Sequence, residues 1–189
     1  MAIKQVLPPK SASDAATQRL VSLEHASGRI PDLEAGGGIL ANPQNCLPIY
    51  HLSSNKINSI GTPLSAALPT GWQYLVGRGE DAKSVEVIDD NAVAVDRGQV
   101  ALNILNAIKA AERNTSDAQY EARMLTFGRV ENPVLWLHPQ EGGSERFFSL
   151  DPVSVEVEPR QILSKVSSAA TVRQNRSSAT FVEDNESGG

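Results

Sequence analysis

Cysteine is almost missing from these 189 residues: Cys46 stands alone, so no intramolecular disulfide can form. That usage suits a reducing compartment, and a cytoplasmic protein is the expectation. Long apolar runs are missing too, and none approaches the ~20 residues that a membrane-spanning helix needs. Near the first residue, Lys4 precedes a short apolar stretch that Pro8 and Pro9 end, so no secretory leader is expected. A basic excess is also absent. The net charge is -5, and Arg173 with Arg176 is too thin a cluster to displace counterions from phosphate. Neither nucleic acid nor a membrane is an expected partner.

Metal signatures are lacking as well. The histidines, His25, His51 and His138, lie far apart, and no HExxH or CxxC occurs. No metal or cofactor is expected. Gly36-Gly37-Gly38 has the glycines of a phosphate loop but no following lysine, and Pro43 comes too early for a helix. It reads as a joint. The acidic pairs Glu80-Asp81 and Asp89-Asp90 fall where turns are expected, and neither has the alternating acids of a calcium loop.

What remains for catalysis is a set of dispersed residues: Cys46, His51, His138 and Asp151. A reactive thiolate needs a helix N-terminus or a neighbouring histidine to lower its pKa. Pro48 follows Cys46 too closely for a helix to start there, so the thiol reads better as a small side chain packed under a loop.

Order is expected mainly in the middle of the chain. Residues 11–27 permit a helix capped by Asp14, with Leu20, Val21 and Leu23 near one side. Residues 28–69 are punctuated by Pro31, Pro43, Pro48, Gly61, Pro63 and Pro69, which predicts no long regular element. Their apolar residues, Leu47, Ile49, Tyr50, Leu52, Ile57, Ile60 and Leu64, could form an extended strap against the rest.

From Trp72 the texture changes. Trp72–Val76 reads as a strand, and the β-prone runs Ser84–Ile88 and Ala92–Val95 flank Asp89-Asp90-Asn91 as a hairpin. Val100, Ala101, Ile104, Leu105, Ile108 and Ala111 recur at helical spacing. The helix is expected from Asp96 to Asn114, with Asp96 and Gln99 as a capping box and Arg113 in its last turn. Glu121–Phe127, Val134–Leu137, Arg146–Leu150 and Val153–Val157 read as further strands. Val134-Leu135-Trp136-Leu137 is apolar throughout and asks for cover on both faces, whereas Val153, Val155 and Val157 alternate with polar residues. Gly142-Gly143 suits a hairpin turn, and Pro152 a break.

A short helix around Ile162, Leu163 and Val166 is expected next, then a disordered polar tail. In that tail Phe181-Val182, followed by Glu183-Asp184, has the form of a docking peptide. Gly188-Gly189 follows a long polar stretch rather than a strand, which suits a tail more than a conjugation signal.

The expected organisation is an irregular arm over 1–70, an α+β domain over 71–158, and a short helix with a disordered tail over 159–189. The fold class is α+β, a mainly antiparallel sheet with one principal helix on one face. A single helix cannot cover such a sheet, so the strap, a second copy or another chain must cover the rest. The functional expectation is therefore a non-enzymatic interaction or assembly protein, a homo-oligomer or the partner of another chain, using a sheet face or edge. The alternative is a small enzyme with a dispersed site around Cys46 and a histidine.

Overall fold

The computed structural model describes residues 3–4, 6–26, 46–53, 64–77, 82–115, 119–127 and 133–162. The expectations for Gly36-Gly37-Gly38, Glu80-Asp81, Phe181-Val182 and Gly188-Gly189 lie outside the described residues.

Two antiparallel meanders lie side by side. In the first, β2 (Cys46–Leu52), β3 (Leu68–Val76), β4 (Lys83–Ile88) and β5 (Asn91–Arg97) follow one another across the sheet. In the second, β6 (Tyr120–Phe127), β7 (Val134–Pro139) and β8 (Arg146–Ser149) do the same. Helix α2 (Gln99–Asn114) carries the chain back from β5, so that β6 lands beside β2 and runs parallel to it. The two-residue β1 (Ile3–Lys4) also pairs with β6 in parallel, at Tyr120 and Glu121. The product is an eight-stranded, mostly antiparallel sheet in the order β5-β4-β3-β2-β6-β7-β8, with β1 off that path. The fold is α+β, as expected.

Side chains alternate across the strands, and each face has its own cover. On one face α2 lays Ala101, Ile104, Ala107 and Ala111 over Leu47, Ile49, Leu75, Met124, Leu135, Leu137 and Phe148. Three of those helix residues are alanines, which lets the helix axis lie close to the sheet. The opposite face has two covers. Helix α1 (Lys10–Ala26) buries Ala12 and Ala16 against Cys46, Tyr74, Val85 and Val87. At the other end, a 3-10 turn at Leu64–Ala66, together with Ile162, closes over Leu52, Leu125, Phe127, Trp136 and Phe147. The cover demanded by Val134–Leu137 is thus supplied from within the chain, and all four residues are buried.

Several expectations need correction. The stretch expected to hold no long element supplies β2, a central strand, and the start of β3. Pro48 is tolerated because the ladder from β2 to β6 begins only after it, at Ile49 and Met124. Asp14 lies inside α1 rather than capping it, and the carbonyl of Pro9 accepts from the amide of Ser13. Asp96 belongs to β5, so α2 has no side-chain cap. Gly98 starts the helix instead, at φ 73°, with its amide on the Ala82 carbonyl and its own carbonyl accepting from Leu102. Val100, placed in the apolar stripe by spacing, is exposed. Val153–Val157 is no strand either: it touches β8 through one bridge, Phe148 to Glu156, and Val153 and Val155 face solvent. Two backbone bonds hold that segment to β8, Ser149 N–H to the Val155 carbonyl at 2.9 Å and Val157 N–H to the Phe147 carbonyl at 2.8 Å. A bidentate pair between Arg146 and Glu156, both bonds 2.6 Å, adds to them, with Arg146 also donating to the Asn114 carbonyl at the end of α2.

The expected hairpin is present. Ile88 and Asn91 pair around Asp89 and Asp90, whose φ values of 48° and 59° make the left-handed two-residue turn that matches strand twist. Gly142 and Gly143, both at positive φ, turn the chain between β7 and β8.

A candidate binding groove on the sheet

Among the described residues the two covers on the α1 face do not meet, and a groove lies between them. Its cause is local to β2 and β3. Pro48 has a ladder neighbour only in β3, and Pro69 only in β2, because the β3–β4 ladder starts at Gly71. Between Ile49 and Tyr50 the register slips: Ile49 faces Gly71 while Tyr50 faces Pro69, leaving Thr70 as an extra residue. Its hydroxyl donates to the Ile49 carbonyl at 3.4 Å. The prolines and the bulge therefore fall in one place and roughen the sheet there.

The groove encloses about 430 Å³. Pro48, Tyr50, Pro69, Thr70, Gly71 and Trp72 line it from β2 and β3; Val6 and Ala12 form the wall beside α1. One end is the hairpin turn, with Asp89 and Asp90, and the other is Glu121 on β6. The volume falls in the range of small-ligand sites, and the mixture of rings and acids is what an amphipathic ligand needs. Ser11 donates its hydroxyl to Asp90 at 2.8 Å, and so ties the start of α1 to the turn.

Beyond Glu121 a polar and aromatic network continues across β6 and β7. Arg123 donates to Glu121 at 2.7 Å, and its guanidinium lies 4.5 Å from the Tyr50 ring and 4.8 Å from that of Trp136. Gln140 donates to the other Glu121 oxygen at 3.3 Å. Glu145 accepts from the indole N–H of Trp136 and lies 2.9 Å from Nδ1 of His138. Trp136 is itself held edge-on to Tyr50, with 5.5 Å between centroids, and stacked on Phe147. The result is a rigid edge to the groove, since each ring and charge has a partner.

The four dispersed residues do not converge. Cys46 is only 3% exposed, and burial pushes its thiol up to about 11, the opposite of what a nucleophile needs. Cys46 and His51 lie on opposite faces of β2, about 16 Å apart at ~3.3 Å per residue. His51 instead sits 3.1 Å from the Thr126 hydroxyl. His138 is separated from Cys46 by β1 and β6, three strand spacings or about 14 Å. Asp151 is exposed beyond β8. Among the described residues no group of three or more His, Cys, Asp or Glu is placed to hold a metal. None of their helices is long and apolar enough to cross a membrane.

Sequence reasoning missed Tyr50 and Trp72 as site residues. The available signal was the pair of aromatics each within three residues of a proline, Pro48 before Tyr50 and Pro69 before Trp72. No family model, curated protein or solved structure matches the chain.

Proposed function

We propose that this protein is a binding protein, one that docks a protein partner across the groove between α1 and the far cover of the sheet. The observation that carries this reading is the groove itself: the half-buried rings of Tyr50 and Trp72 and the exposed Pro69 line a gap between the two described covers on that face of the sheet. Surfaces of that kind, with Tyr and Trp anchors set in a polar rim, are where binding energy concentrates. Association through the sheet face thus narrows to one strip of it. The single cysteine supports a cytoplasmic setting for that role. An enzyme centred on Cys46 finds no support in the position of the thiol.

The test is capture of partners from host extract by the full chain, followed by mass spectrometry, with Trp72→Ala run beside the wild type. The proposal expects at least one partner bound by the wild type and lost from the variant. Equal capture of every partner by both would refute it.

A further inference from the structure

The charge on the groove narrows what it can hold. Its described lining residues include three carboxylates, Asp89, Asp90 and Glu121, and no lysine or arginine. Glu121 is already matched by Arg123. At the hairpin end, Asp90 receives only the neutral hydroxyl of Ser11, and neither Asp89 nor Asp90 forms an ion pair with a described residue. Among the described residues no cation matches these two carboxylates, so negative charge collects at one end of an aromatic floor.

From these observations we infer that the groove takes an extended peptide segment, with a lysine or arginine side chain seated at Asp89 and Asp90 and aliphatic or proline residues over Tyr50 and Trp72. The inference rests on the binding reading above and names its ligand. The molecule already contains a guanidinium held this way: Arg123 lies against Tyr50 and Trp136 with its charge on Glu121. Trp72 is the cross-strand neighbour of Val87, two residues before Asp89, so ring and carboxylates are again adjacent. Length agrees. From β4 to Glu121, where β1 lies between β2 and β6, the groove crosses four strand spacings, about 19 Å, which a polyproline II segment covers in about six residues at 3.1 Å each. The backbone agrees too. The floor is the face of a sheet, whose backbone N–H and C=O groups point within its plane, so it takes a segment that binds through its side chains and not one that adds a strand.

The test is selection from a random dodecapeptide library on the full chain, with affinities then measured on variants. Asp89→Asn with Asp90→Asn removes the charge and keeps the turn, because asparagine accepts positive φ. Trp72→Ala removes the ring. Thr70→Arg fills the floor with a like charge and leaves the rings in place, so the surface is still tested if the Trp72 variant folds poorly. Recovered peptides should share a lysine or arginine and fail on Trp72→Ala and Thr70→Arg. They should weaken about five-fold on the double asparagine variant, and similarly in 0.5 M salt, as expected for screened surface charge pairs. Peptides that need Trp72 but carry no basic residue, or that ignore the asparagine changes, would overturn the cationic ligand and leave the groove reading standing. Selection that yields no peptide sensitive to either Trp72→Ala or Thr70→Arg would overturn both.

Discussion

Gly71 stands where β2, β3 and β4 meet, beside the extra residue of the bulge, and a Cβ there would lie 2.1 Å from the carbonyl oxygen of Val87. That oxygen is backbone and cannot swing away, so the strands must separate. Gly71→Ala is expected to cost about 3 kcal/mol, the upper part of the range for overpacking, read as a lower urea midpoint. A change under about 0.5 kcal/mol would mean that the close approach is not real. Cys46 gives a second prediction at this scale. Its thiol titrates near 9.0 ordinarily and is pushed up to about 11 by burial, so the folded state holds the proton more tightly. The associated stability is present in full below pH 9 and is lost as pH rises toward 11, by about 3 kcal/mol at most. Tyr74, raised mainly by burial, adds to the same loss at higher pH. Cys46→Ala should lower stability at neutral pH by a fixed cavity cost, yet flatten the decline between pH 8.5 and 10.5. Parallel declines for wild type and variant would show that the thiol is not the titrating group.

Elements differ in how plainly they were written. α2 was legible because Ala101, Ile104, Leu105 and Ile108 recur with helical period, and the β4–β5 hairpin because Asp89-Asp90 tolerates positive φ. β2 was not. Its prolines look like breakers, and only the ladder shows that each lies where a strand has one neighbour. α1 was half legible, since its buried face is made of alanines and carries almost no pattern. The alternation of Val153, Val155 and Val157 misled for the converse reason: it has the period of a strand but only an edge to lean on. The groove was hard to read because Tyr50 and Trp72 come from different strands, and in the sequence only their shared nearness to a proline links them. One strand position gives a prediction. Glu86, on β4, has its carboxyl pushed up by burial and then by the charge of Asp96. The neutral form fits the fold better, so the contribution to stability is present below pH 4.5, the ordinary value, and is lost as pH rises past it. Glu86→Gln should therefore be more stable than the wild type at pH 7, by up to about 1 kcal/mol, and the gap should close by pH 4. A variant less stable at pH 7 would mean that the carboxylate is held by something favourable.

For the molecule as a whole, the two helices and the far cover resolve the question that the sequence raised about an over-large sheet. α2 covers one face, while α1 and the residues around Ile162 share the other, and the strip between them is where the register slips and the half-buried rings of Tyr50 and Trp72 lie. Binding on that strip, rather than on the edges β5 or β8, is the central claim. The most direct test is a map of backbone and indole NMR shifts in the full chain, titrated with the Trp72-dependent partner or a selected peptide. The largest changes should fall on Tyr50, Thr70, Gly71, Asp89, Asp90 and the Trp72 indole. Changes confined to Asn91–Arg97 or to Arg146–Ser149, with the groove unmoved, would contradict it.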